Sequence, residues 1–177
     1  MPIQLPPRSD VSGAVARLLL SEAQGPASPF YVQANTFMSM QWMKVVLNNR
    51  LNNDPAQFLA PHAKTVIDII RAPNQFAGFR HYPNYDVDLV NRLQSYVDIA
   101  NSAKDKRQQS YAIFINGAIQ VANAAPIPDP SSSPFILTNR TVLGLFAWRT
   151  IGAPSPGGRF SKYRDLAGNT FYTINVA

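Results

Sequence analysis

Cysteine is absent from the 177 residues. That excludes a disulfide framework, a thiol nucleophile and zinc sites built on thiolates. It leaves the compartment open, because a cysteine-free chain folds equally well in oxidising and reducing surroundings. Histidine is scarce: His62 and His81 are too few and too far apart to make a metal site, so neither a metal nor another cofactor is expected. Ser21 has no histidine near it in sequence, which argues against a serine hydrolase. Gly157-Gly158 lacks the spacing of a phosphate-binding loop. No apolar run is long enough to span a membrane, so membrane insertion is not expected. Residues 1–9 carry three prolines and no apolar stretch, and do not read as a signal peptide.

Acidic residues are the scarcer charge, 10 against 16 Lys and Arg, giving a net charge of +6. A basic balance favours a polyanionic partner such as nucleic acid, anionic lipid or the anionic polymers of a bacterial wall. The basic residues are scattered, and only Lys104, Lys106 and Arg107 form a short cluster. That distribution argues against a groove-reading nucleic-acid binder. A composition 46% hydrophobic supports a normal core, and the length suits one domain over residues 1–177.

Along the chain, residues 1–8 read as an extended arm. Ser9 or Asp10 can cap a first helix with Val11, Ala14, Val15, Leu18 and Leu19 on one face, stopping near Gly25 and Pro26. A second helix is expected over 34–52, with a stripe of Phe37, Met40, Met43, Val46 and Leu47. A third is expected from Pro61, a residue suited to a first helical turn, to before Pro73. A fourth follows from Asp86. Residues 111–121 read either as a helix or as two strands around Asn116-Gly117, a hairpin signal; Gln108, Gln109 and the surrounding alanines favour the helix. Residues 126–134 form a Pro/Ser loop, 135–137 and 142–148 are β-prone, 153–158 read as a loop, and 170–176 as a final strand. The sum is an α+β domain, a helical front with a small antiparallel sheet beside it.

The sharpest feature ends the first helix. Glu22 directly follows the run Leu18-Leu19-Leu20-Ser21. A carboxylate there is expected to be partly buried, and desolvation disfavours its charged form. A Glu held protonated near neutral pH can act as a general acid on a glycosidic oxygen. Read alone, the same residue is more often the exposed end of an amphipathic helix.

Residues 19–25 resemble the Glu-Ala-Arg-Gly signature of the spore cortex-lytic cell-wall hydrolase family, with Gln24 where that family usually has Arg. Val45-Val46-Leu47-Asn48-Asn49-Arg50 looks like its Val-Val-Leu-Asn-Arg segment with an extra Asn, and Asn74-Gln75-Phe76 like its Gly-Gln-Phe element. The three matches keep the family's order and cover roughly residues 11–80. A Gly-Ala-Thr-His element that the family carries later is not recognisable here. The resemblance implies a lysozyme-like lytic transglycosylase of peptidoglycan. Glu22 would protonate the oxygen between N-acetylmuramate and N-acetylglucosamine, then act as base while the muramate 6-hydroxyl closes on its own anomeric carbon. Asp54, Asp68 and Asp86 show no evident pairing with Glu22, whereas a muramidase, which hydrolyses the same bond, would want a second acid. Gln75, Phe76, Tyr82, Asn49 and Tyr172 are the expected substrate-binding residues, with Trp148 as a further aromatic candidate. A non-catalytic cell-wall-binding module on the same scaffold is the rival reading. Action in the periplasm or cell wall without a signal peptide would imply delivery by a type VI secretion machine or a phage lysis route. An antibacterial toxin effector of that kind would imply a cognate immunity protein that plugs the cleft.

Overall fold

The computed structural model describes residues 1–131 and 141–176. They form an α+β domain of five α-helices and a three-stranded antiparallel sheet. The helices are α1 (Val11–Glu22), α2 (Gln33–Asn52), α3 (Val66–Ile70), α4 (Val87–Asn101) and α5 (Gln108–Asn123), with a 3-10 turn at Pro55–Phe58. The strands are β1 (Thr141–Thr150), β2 (Phe160–Leu166) and β3 (Asn169–Val176), in the order β1-β3-β2. The β-prone stretch at 135–137 lies outside the described residues. No described helix is long and apolar enough to cross a membrane.

Helix α1 is the centre of the core. Ala14, Val15, Leu18, Leu19 and Leu20 are all essentially inaccessible, because α3, α4 and α5 pack around it. The arm folds back on this helix. Arg17, itself buried, donates to Pro6 O at 2.7 Å and Gly13 O at 2.9 Å, and Tyr82 Oη donates to Arg8 O at 2.7 Å. Asn101 on α4 holds Ile3 through both of its main-chain groups.

Helix α3 is shorter than the sequence suggests. The chain from Pro61 stays in a turn, and the helix begins only where Asp68 accepts hydrogen bonds from the amides of Lys64 and Thr65, at 2.9 and 3.0 Å. That reciprocal cap satisfies donors which Pro61 cannot help. Around Asn116-Gly117 the chain is helical, not a hairpin. Gly117 lets Phe37 of α2 approach, since a Cβ there would stand 3.3 Å from its ring. Lys44 fastens α2 to α5 by donating to the carbonyls of Val121, Ala122 and Ala124, the orphan acceptors of the α5 C-terminus.

Strand β2 was not expected from the sequence. It is an outer strand with Lys162, Arg164 and Asp165 exposed, so burial leaves little apolar alternation to read. Its hairpin to β3 turns through Ala167 and Gly168, both at positive φ (48° and 77°), the conformation a two-residue loop demands. Gly168 lies against Gln24 and Phe30, so the hairpin tip meets the loop that follows Glu22.

A Cβ on Gly13 would fall 1.8 Å from Pro7 O, a backbone atom with little freedom to move. Gly13→Ala should therefore lower stability by about 1–3 kcal/mol, the usual cost of overpacking, measured by urea denaturation.

Candidate functional site

Helix α1 delivers Glu22 to the joint between the helices and the sheet. Trp148 of β1 donates its indole N–H to Glu22 Oε2 at 3.2 Å. The Trp148 ring stacks on Phe76, centroids 5.2 Å apart and planes 27° from parallel. Phe76 in turn lies beside the Arg50 guanidinium, 5.5 Å from the ring centre, and Arg50 Nη1 donates to Gln75 Oε1 at 3.0 Å. Glu22, Arg50, Gln75 and Phe76, distant in sequence, thus converge through Trp148.

Glu22 also faces an open pocket of about 390 Å³ lined by Gln24, Ser28, Arg92, Tyr96, Tyr111 and Thr150 among others. It is the only glutamate in the chain, and among the described residues it is the only carboxylate in that lining. Burial raises its pKa above the ordinary carboxyl value. The Trp148 hydrogen bond and the charge of Arg92 act in the opposite sense without overcoming it. Indole N–H is a donor only, so it engages Oε2 as acceptor and leaves Oε1 to carry the proton. A carboxyl group with a raised pKa, one oxygen fixed as acceptor and the other side open is an arrangement that suits general acid catalysis.

No family model matches the chain, and neither a curated protein nor a solved structure does. The chemistry of the site therefore rests on its own geometry.

Arg50 is buried and has no acidic partner among the described residues. Its Nε donates to Phe146 O at 2.7 Å, and its guanidinium lies over Phe58, 4.6 Å from the ring centre. Desolvation, with the charge of Arg149 in second place, brings its pKa down to about 10, which still leaves it cationic at neutral pH.

The other expected residues are placed as follows. Gln75 is half-buried, and both ends of its amide are engaged, by Arg50 and by Pro73 O. Phe76 is half-buried with one face on Trp148. Asn49 turns its Nδ2 to Asp129 Oδ2 at 2.7 Å and to Leu145 O at 2.8 Å, which ties α2 to the sheet. Tyr82 is buried in a stack with Phe79 and Tyr85 and lies outside the lining of the Glu22 pocket. Tyr172 is buried on β3; its neighbour Phe171 pairs with Trp148 in register, so alternation puts Tyr172 on the other face of the sheet. Arg92, Tyr96 and Tyr111 went unread in the sequence as site residues. Their signal is faint, because Tyr96 and Tyr111 fall on apolar helical faces and read as core.

The folded state binds the Glu22 proton more tightly than the unfolded chain does. Stability therefore falls as pH rises between the ordinary and the raised value, and the loss is complete above the latter. Glu22→Gln removes that loss. The variant should melt higher than wild type at about pH 8, and the difference should vanish below about pH 4, followed by thermal denaturation across pH.

Proposed function

We propose that this chain cleaves the β-1,4 bond between N-acetylmuramate and N-acetylglucosamine in peptidoglycan, with Glu22 as the catalytic acid. The observation that carries the reading is Glu22 itself, a solitary carboxyl group whose burial favours its protonated form while it opens into a pocket. The convergence of the segments around Glu22, Arg50 and Gln75-Phe76 adds support, since these are the segments whose sequence resembles the cortex-lytic cell-wall hydrolases. The lysozyme-like character of the domain belongs to the same proposal.

Glu22 Oε1 gives its proton to the glycosidic oxygen as the bond to the anomeric carbon breaks and its electron pair stays with the leaving sugar. The carboxylate so formed keeps the Trp148 N–H bond, which is stronger to a charged acceptor. It then takes the proton of the muramate 6-hydroxyl as that oxygen closes on the anomeric carbon. The product is a 1,6-anhydro end, and no water is consumed. A hydrolase would place a second carboxylate near the scissile bond. The pocket lining holds none among the described residues, which favours the transglycosylase over the muramidase.

Purified sacculi digested with wild type should release muropeptides with anhydromuramyl ends, read by mass spectrometry. Glu22→Gln should lose about 10²–10⁴-fold in rate. Reducing ends would make the enzyme a muramidase, and equal release by both proteins would remove Glu22 from the chemistry. The pH profile gives a second measurement. Activity should extend above the ordinary carboxyl range and fall as Glu22 ionises. Trp148→Phe deletes a contact that favours the carboxylate, so its alkaline limb should move to higher pH. An unmoved limb would mean that the indole does not tune the acid.

A further inference from the structure

Arg92 stands on α4 at the wall of the Glu22 pocket, exposed to solvent. Its Nη2 donates to Ser21 O at 3.3 Å, in the last turn of α1, which anchors the guanidinium beside the acid. Among the described residues the ion pairs are Asp68–Arg71, Asp105–Arg107 and Lys162–Asp165, and Arg92 is in none of them. Arg92 and Glu22 are the charged residues of the pocket lining. Arg92 is the only cationic side chain of that lining among the described residues, and it stands beside the last turn of α1. The remaining polar groups, from Gln24, Ser28, Tyr96, Tyr111 and Thr150, are neutral donors and acceptors suited to sugar hydroxyls.

We propose that Arg92 is a specificity-determining residue that binds a substrate carboxylate, so that the pocket selects an anionic glycan over a neutral one of the same backbone. The inference rests on the reading of Glu22 as a glycan-cleaving acid. A guanidinium fork pairs with a carboxylate through two parallel hydrogen bonds, which an amide or hydroxyl cannot reproduce. Peptidoglycan offers that group in two places: the lactyl carboxylate of unsubstituted muramate and the carboxylates of the peptide stem. A strand of N-acetylglucosamine alone offers neither.

Binding can be read without turnover in the Glu22→Gln protein by calorimetric titration. The probes are the N-acetylglucosamine–N-acetylmuramate disaccharide, its carboxyl-amidated form, the same disaccharide bearing a dipeptide, and the neutral chitobiose. The anionic disaccharides should bind about tenfold more tightly than the amidated one and chitobiose, and the preference should shrink as salt rises. Adding Arg92→Gln should abolish the preference, and Arg92→Lys should restore part of it. Whichever of the lactyl and dipeptide forms binds more tightly identifies the source of the carboxylate. Equal binding of charged and amidated forms, retention of the preference in Arg92→Gln, or absence of binding by every probe would overturn the inference. Failure of the underlying reading looks different: sacculi would be digested equally by wild type and Glu22→Gln, whatever the titrations show.

Discussion

The capping of strand β1 by the end of helix α2 is the constraint on which the rest of the molecule depends. Strand β1 lies at the edge of its sheet, and its ladder with β3 slips twice between Val142 and Ala147. Backbone groups left unpaired there must find partners or pay a desolvation cost. Asn49 and Arg50, consecutive on α2, reach the carbonyls of Leu145 and Phe146. Asp129 closes the same joint by accepting from Asn49 Nδ2, Leu145 N and both the amide and the hydroxyl of Ser131. Gly144, at φ 118°, leaves the room this requires, since a Cβ would stand 2.3 Å from Asp129 Oδ2. Once the strand is fixed at this point, Trp148 falls against Glu22.

The acid is therefore set by two halves of the domain together. Helix α1 supplies burial, because the residues before Glu22 are core on every side. The sheet supplies orientation, through the Trp148 indole. Burial alone would raise the pKa without deciding which oxygen holds the proton. An indole contact on an exposed carboxylate would orient an ion. The combination gives an oriented carboxyl group with a raised pKa, and Phe76 stacked on Trp148 restrains the indole in its turn.

Much of this was legible in the sequence, and for physical reasons. The helix ending in Glu22 shows itself through its apolar spacing, and the burial of a carboxyl group that follows such a run without interruption is a short step from there. The second and fourth helices and the final strand were readable in the same way. What the sequence hid were relations across the fold. Asn49 and Gln75 carry amides suited to a sugar, yet their donors are committed to Asp129, Leu145 O and Pro73 O. Tyr82 reads as an aromatic platform, but the returning arm takes its hydroxyl. No one-dimensional pattern announces such partners, which depend on where another segment ends up. Strand β2 escaped because its apolar residues, Phe160, Tyr163 and Leu166, are spaced every third position across a bulge, so they do not alternate as a strand's would. Asn116-Gly117 left a hairpin open beside the favoured helix, and the helix that forms there uses Gly117 as a site of close packing for the Phe37 ring.

The two arginines near Glu22 stand close to it without forming a salt bridge to its carboxyl group. A guanidinium in direct contact with a carboxylate lowers its pKa and turns an acid into a salt bridge. Arg50 is diverted: its donors go to Phe146 O and Gln75, and its faces to Phe58 and Phe76. Buried charge of this kind is tolerated because neutral acceptors and ring faces replace its hydration. Arg92 is held by Ser21 O at the rim, where water screens its pull on Glu22. Burial of Glu22 then outweighs attraction, and its pKa stays above the ordinary carboxyl value. An arginine at that remove pairs with no carboxylate among the described residues and leaves burial as the larger influence on Glu22, so the two charged side chains share a pocket without forming a salt bridge.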